Sequence, residues 1–395
     1  MKWRLSTKIL LGIGLAGGQP GAQADDQPSA LQSAVGGTTL GGYVEASAHW
    51  NPGSGDQNLP YYGPNGTAEA AKANGINLDG VELTIAKPAG GGHWSAGYSA
   101  TLLLGPEAVA YNTSFVGPTR AATGDFGLKD TFVDFQVPLG NGCELKLGTF
   151  SSPLGYEVYE AGANPNYTRS YGYEMEPTAL TGLLAVYQLC PAVLVNAGVA
   201  NTWSAGIDSR ASASVPAARA DSFKTYLGNL TFVAPTNWGV VSGSTLSGGV
   251  LNGWDALSEV DRTTFYAGTT FNTPFPSLKT GLAFDYARLG DNAISGHHED
   301  SGYQTATGIY LNWQALPALS FNARGEYFSQ SGYLAAPGLP RTAVELAETA
   351  QYDVWKNVVS RVELRWDHDA SGGDSFTTHH RDNTVLVALD IIHRF

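Results

Sequence analysis

The residues in this chain that could do chemistry are few, and their spacing argues against most of it. Histidines stand beside acids at His297, His298, Glu299 and Asp300, at His368 between Asp367 and Asp369, and at His379 and His380. Acyl transfer would need a nucleophile in contact with a histidine and an acid, and no G-x-S-x-G elbow is present. Adjacent histidines on an extended chain point to opposite sides, so they chelate poorly without a turn. Nor is there a G-x-x-x-x-G-K-[ST] loop to cradle phosphate, or a CxxC pair. These histidines read as solvated loop residues, and the sequence predicts no enzyme, no catalytic or metal-binding residue and no cofactor.

A second stretch has chemistry of another kind. Tyr156 to Gly182 reads YEVYEAGANPNYTRSYGYEMEPTALTG, with five tyrosines, four glutamates and a single arginine. Tyrosine supplies bulk with few rotatable bonds and a polar tip, so such a segment can stay ordered in water. Pro153, Pro165 and Pro177 stiffen it, and Gly155, Gly162 and Gly172 permit its corners. What it acts on depends on the elements that hold it.

Those elements are strands. Leu40, Val44, Ala46, Ala48 and Trp50 alternate with Tyr43, Glu45, Ser47 and His49, and the same period of two recurs almost to the C-terminus. A strand sorts such residues into one apolar and one polar face, whereas a helix would scatter them. Short turns fall at residues 87–92, 139–142, 190–192, 235–238, 274–277, 315–318 and 355–357. Longer connections alternate with them at about 51–73, 105–124, 151–180, 204–220, 252–262, 289–300, 331–341 and 368–382. Seven turns and eight loops require sixteen strands. The predicted fold is therefore an all-β, transmembrane antiparallel β-barrel of about 16 strands with short periplasmic turns and long extracellular loops.

Composition agrees. Only 14 % of the 395 residues are charged, the net charge is -13, and the 49 glycines and 19 tyrosines suit a barrel better than a helical bundle. An acidic chain is a poor nucleic-acid partner. Residues 1–24 carry Lys2, Arg4 and Lys8, a short apolar run and Ala22-Gln23-Ala24, the pattern of a secretory signal peptide cleaved after Ala24. Residues 25–37 would form a short periplasmic segment, and 38–395 the barrel. The apolar run from Ile9 to Gly18 is shorter than the roughly 18 residues of a spanning helix.

The last strand, NTVLVALDIIHRF, puts Val385, Val387, Leu389, Ile391, His393 and Phe395 on one face. A terminal Phe395 resembles the signal read by outer-membrane assembly machinery, although His393 stands where an aromatic residue is common. GTFSSPLGYEVYEAGANPNYTRSYGYEMEPTALTG, TYLGNLTFVAPTNW, LSGGVLNGWD and QYDVWKNVVSRVELRWDHD resemble the OmpL-like family of outer-membrane beta-barrel porins across nearly the whole mature chain. Leu180 departs from the polar residue expected in the PTALTG stretch. The resemblance implies a passive channel for small hydrophilic solutes, with outer-membrane lipids as its surroundings and a homotrimer as its analogue-based assembly. A substrate-selective channel and a barrel anchor with a blocked lumen stay open as alternatives.

In sixteen-stranded porins the third long connection folds inward and narrows the pore. That analogy makes Tyr156, Glu157, Tyr159, Glu160, Tyr167, Arg169, Tyr171, Tyr173, Glu174 and Glu176 the candidate constriction. Arg169 facing some of these glutamates would set a transverse field; alternatively it staples the loop to the wall. The lumen wall is predicted from Glu45, Glu82, Asp134, Arg324, Glu326, Arg361, Glu363, Arg365 and Asp367, acids in excess, which favours cations mildly unless they pair across strands. Cys143 and Cys190, both near the periplasmic rim of adjacent strands, are expected to form a disulfide. Glu348 falls on the lipid side of its strand, which calls for either a shifted register or a neighbouring subunit.

Overall fold

The computed structural model describes residues 36–52, 74–90, 94–111, 126–203, 206–207, 209, 223–255, 260–290, 301–331, 340–372, 376 and 382–395. The expected signal peptide (residues 1–24) with its expected cleavage point, and the histidine pairs at 297–298 and 379–380, lie outside these residues. The strands are β1 (Thr39–Trp50), β2 (Gly75–Lys87), β3 (Ser95–Leu104), β4 (Phe126–Val137), β5 (Cys143–Ser151), β6 (Ala179–Cys190), β7 (Val193–Ala200) and β8 (Thr225–Val233). They continue as β9 (Thr245–Asp255), β10 (Val260–Asn272), β11 (Leu278–Leu289), β12 (Gly302–Leu316), β13 (Leu319–Ser331), β14 (Thr342–Trp355), β15 (Val358–Asp369) and β16 (Asn383–Arg394). Each pairs antiparallel with its sequence neighbours, and β1 pairs with β16, so the sheet closes into a barrel without edges. Two short helices, α1 (Pro106–Tyr111) and α2 (Tyr171–Glu174), sit in the second and third long connections.

Alternation sets the two faces. Outward positions hold apolar side chains that stay exposed, such as Ile76, Leu147, Leu346 and Leu364. A continuous apolar belt around the barrel is stable only against hydrocarbon. Trp50, Tyr226 and Tyr327 stand outward near the long-loop end, and Trp94, Trp313, Trp355 and Phe395 near the short-turn end, as two aromatic girdles. Connections differ from expectation in two places. The fifth long loop shrinks to residues 256–259 because the β9–β10 ladder continues up to Asp255 and Val260. The turn expected at 235–238 spans 234–244, where a short 3-10 turn at Gly239–Val241 adds residues.

Two bulges alter the inward face. Glu45 pairs with Gly80 but Ala46 with Leu78, which leaves Asp79 as the extra residue and buries it completely. A Cβ on Gly80 would lie 2.7 Å from the Glu107 carboxylate, so a larger residue there would have to displace that side chain. A second shift, between Ser99 and Thr101 in the β3–β4 ladder, accompanies an inward turn of Lys129. No such shift occurs around Glu348: the β13–β14 register is continuous from Leu319 opposite Tyr352 to Ser329 opposite Thr342. Glu348 therefore faces outward, exposed, in the middle of the belt.

The expected disulfide is not formed, and both Cys143 and Cys190 are free thiols. Register explains the error. Cys143 sits opposite Tyr187, while Cys190 lies three residues further along β6 and pairs with Val193 across the next turn. Three residues of strand separate the two by about 10 Å, beyond the roughly 7 Å that a disulfide can span.

Candidate functional site

The site is the lumen, and residues 152–178 occupy most of it. Local rules shape this segment before the wall holds it. Asn164 accepts from the Val158 amide at 2.9 Å and donates to the Glu160 carbonyl at 2.8 Å, closing the first corner ahead of Pro165. Ser170 caps α2 by accepting from the Tyr173 amide at 3.1 Å. At Gly155, φ is 124° and a Cβ would meet the Glu176 carboxylate at 2.1 Å, so only glycine lets the outgoing and returning legs pass each other.

Wall residues from most of the circumference then grip the loop, largely by its backbone. Arg361 donates to the carbonyls of Ala161 at 2.8 Å and Asn164 at 3.2 Å while pairing with Asp390 at 2.6 Å and Glu45 at 3.3 Å. Glu363 accepts from the amides of Tyr167 at 2.6 Å and Thr168 at 3.0 Å. Arg324 bridges Glu345 at 2.9 Å on β14, Glu157 at 2.9 Å in the loop and the Thr168 carbonyl at 2.8 Å. Arg365 pairs with Asp367 at 2.8 Å and donates to the Arg169 carbonyl at 2.7 Å. Glu326 accepts from the amides of Tyr171 and Gly172, the latter at 2.8 Å, and the Tyr171 hydroxyl donates to Asp367 at 3.0 Å. On the far side the Tyr167 hydroxyl lies 2.6 Å from His49 Nε2 and donates to Asp79 at 3.0 Å. Charged groups this dry persist because each opposes a charge or an oriented peptide dipole.

The predicted wall residues Glu45, Glu82, Asp134, Arg324, Glu326, Arg361, Glu363, Arg365 and Asp367 all face inward and are buried. Most touch the loop directly. Asp134 instead accepts from the Ala89 amide at 3.1 Å and holds the first short turn. Glu82 meets Lys129 at 2.8 Å, and Lys129 reaches on to Glu160. Arg169 lies inside the loop: it donates to the carbonyls of Tyr159 at 2.8 Å, Tyr167 at 2.9 Å and Val158 at 3.2 Å, and is 1 % exposed. A guanidinium enclosed in this way cannot sit at an open passage. Glu174 is the exposed acid of the segment, whereas Tyr156, Tyr159, Tyr171 and Tyr173 are buried.

Asp79 and Lys129 were missed by simple alternation because each lies at a bulge. The Asp79-Gly80 dipeptide within a strand was the available signal for the first. His49, although read onto the inward face, was not recognised as an anchor, since its partner Tyr167 is 118 residues away.

Along β4–β7 the loop meets the wall through Glu160 on Lys129 and through Leu154 on Phe150 and Leu184, without filling the space in front of it. A cavity of about 390 Å³ opens there, with Asp130, Lys146, Glu160 and Asn196 as polar lining and Leu184, Val186 and Leu194 as apolar lining. Burial by itself would raise the Glu160 carboxyl, but the Lys129 ammonium beside it, with Arg169, holds it below its usual range, so it stays charged. Burial, with Asp285 alongside, pushes the Glu176 carboxyl well above the usual carboxylate range.

A family model described as "Putative beta-barrel porin-2, OmpL-like" matches residues 37–395. Among curated proteins no sequence match is found. Several solved structures are similar in fold. The outer membrane channel DcaP of Acinetobacter baumannii is 14% identical, with a TM-score of 0.58 over 91% of this chain and 97% of that one. The anion-selective porin from Comamonas acidovorans is 12% identical, with a TM-score of 0.57 over 91% of this chain and 99% of that one. The trimer form of OmpT from Vibrio cholerae is 11% identical, with a TM-score of 0.55 over 91% of this chain and 99% of that one.

Proposed function

The chain belongs to the OmpL-like porin-2 family of beta-barrels and is an outer-membrane porin, and from that premise we propose that small hydrophilic solutes cross it by an eccentric route, along β4–β7. The observation that carries this reading is the asymmetry of loop contact. Arg324, Arg361, Glu363 and Arg365 on β13 and β15 are at most 1 % exposed beneath the loop, whereas the 390 Å³ gap lies against the opposite wall. Acids outnumber bases in the gap, so a mild preference for cations follows from the local potential.

Bulk placed in the gap tests the route. Leu194→Trp is expected to lower single-channel potassium conductance in planar bilayers several-fold, while Thr263→Trp, on the outward face of β10, leaves it unchanged. Equal conductance in Leu194→Trp and the parent would move the route elsewhere. A parent protein with no ohmic step at all would instead favour a closed barrel serving as an anchor.

We also propose a homotrimer, the assembly named for the OmpT neighbour. The support is Glu348, whose charge is costly against lipid and which sits in an outward depression of about 830 Å³ with Trp313, Phe321, Ala323 and Ala350. A neighbouring subunit would cover it. Ala350→Trp fills the depression and is expected to turn a trimer band into a monomer band on gels in mild detergent. A trimer that survives this change would put the contact on another face.

A further inference from the structure

The lumen wall is chemically divided. On β13–β16 it is charged, but on β5–β9 the inward positions Phe150, Leu184, Val186, Leu227 and Leu251 are apolar, although the outward positions of the same strands, such as Leu147, Leu183, Leu230 and Val250, are apolar too. Lys146, Asn196, Asn229 and Ser247 stand among the inward positions, so the apolar ones form a strip on this wall and not its whole surface. The loop covers part of this surface with Leu154 and Tyr156, which join Phe150, Leu184 and Val186 in one cluster. Leu184 and Val186, with Leu194, also border the gap.

Carboxylates line the same gap. Glu160 is the most open of them, with its side chain 35 % exposed, and its partner Lys129 is buried behind it at 1 %. Asp130 stands beside it, held by the amide and hydroxyl of Ser151 at 2.7 and 3.0 Å. The one base lining the gap, Lys146, rests on the Phe132 ring at 4.8 Å and leans towards Glu144 at 3.9 Å. The gap thus carries both apolar and anionic lining.

We propose that the gap favours small amphiphilic cations, whose ammonium head meets Glu160 and Asp130 while the hydrocarbon side lies on Leu184, Val186 and Leu194. This rests on the eccentric route. A polar solute of equal size would leave the leucine and valine surface wet, and an anion would face two carboxylates. The predicted preference is about tenfold, the gain from covering roughly two methylene groups.

The test is block of potassium current through the full-length protein by butylammonium, methoxyethylammonium and butyrate, which have similar length. Butylammonium is expected to block at about one tenth the concentration of its ether analogue, and butyrate least well. The polar pair Leu184→Asn with Val186→Thr should level the two amines, and Asp130→Asn should weaken both. Equal block by the two amines in the parent protein, or tighter block by butyrate, would overturn the proposal without any variant having to fold. The two readings fail differently: a potassium current indifferent to Leu194→Trp removes the route, whereas a sensitive current with no preference for butylammonium removes only this inference.

Discussion

Replacing Arg324 with alanine is expected to destabilise the barrel by about 3–5 kcal/mol, the usual cost of stranding a buried charge, and to raise its conductance. Arg324 is 1 % exposed and serves three groups at once: Glu345 on the adjacent strand, Glu157 on the outgoing leg of the loop, and the Thr168 carbonyl on the returning leg. Its loss leaves Glu157 with no other ion-pair partner among the described residues, and Glu345 with only Arg365 at 3.8 Å. The system can relieve this by letting the loop lift and water enter. Lysine is a poor substitute, because a single ammonium cannot match a planar fork that reaches carboxylates and a carbonyl together. Urea unfolding in lipid vesicles measures the stability, and planar-bilayer recording the conductance. A variant as stable and as conductive as the parent would show that the loop is held elsewhere.

Removing the middle of the loop should have the larger functional effect. Replacing residues 161–174 with a short glycine-serine link is expected to raise conductance several-fold and erase ion preference. The barrel should persist, since β5 and β6 stay paired from Cys143–Tyr187 to Ser151–Ala179 without help from that segment. Arg361, Arg365 and Glu363 would lose their backbone partners, but water admitted to the lumen would solvate them, and Arg361 and Arg365 keep Asp390 and Asp367. Unchanged conductance would mean that the loop does not limit passage, which would also remove the eccentric route. The two experiments differ in kind. The first loosens an intact loop, and the second abolishes it, so a larger conductance in the second is a further expected result.

Arg169 shows how composition can mislead at a single position. One arginine among four glutamates suggests a field across a passage, yet its guanidinium donates to three carbonyls of its own loop. A carbonyl carries no signature in the sequence, so no count of charges could reveal those partners. Lys129 shows the converse. Period-two reading turns it outward, but the β3–β4 register shift brings it inward, where it pairs with both Glu82 and Glu160. Cys143 and Cys190 were placed on the correct adjacent strands, and the pairing failed on an offset of three residues.

By itself the sequence determined the closed antiparallel barrel, the alternation of its faces, the positions of nearly all its turns and the identity of most inward charges. These are local properties: a period of two, a turn residue or a terminal aromatic is written within about ten consecutive residues. Only the tertiary structure decided how the loop is seated in the lumen. The contacts that seat the loop join residues such as Arg365 and Arg169, 196 apart, or Glu363 and Tyr167, also 196 apart. Their partners are often backbone groups, which every residue possesses equally. Folding across the barrel also left part of one flank apolar beside a gap, and the position of that gap depends on how residues 152–178 cross the lumen rather than on any strand alone.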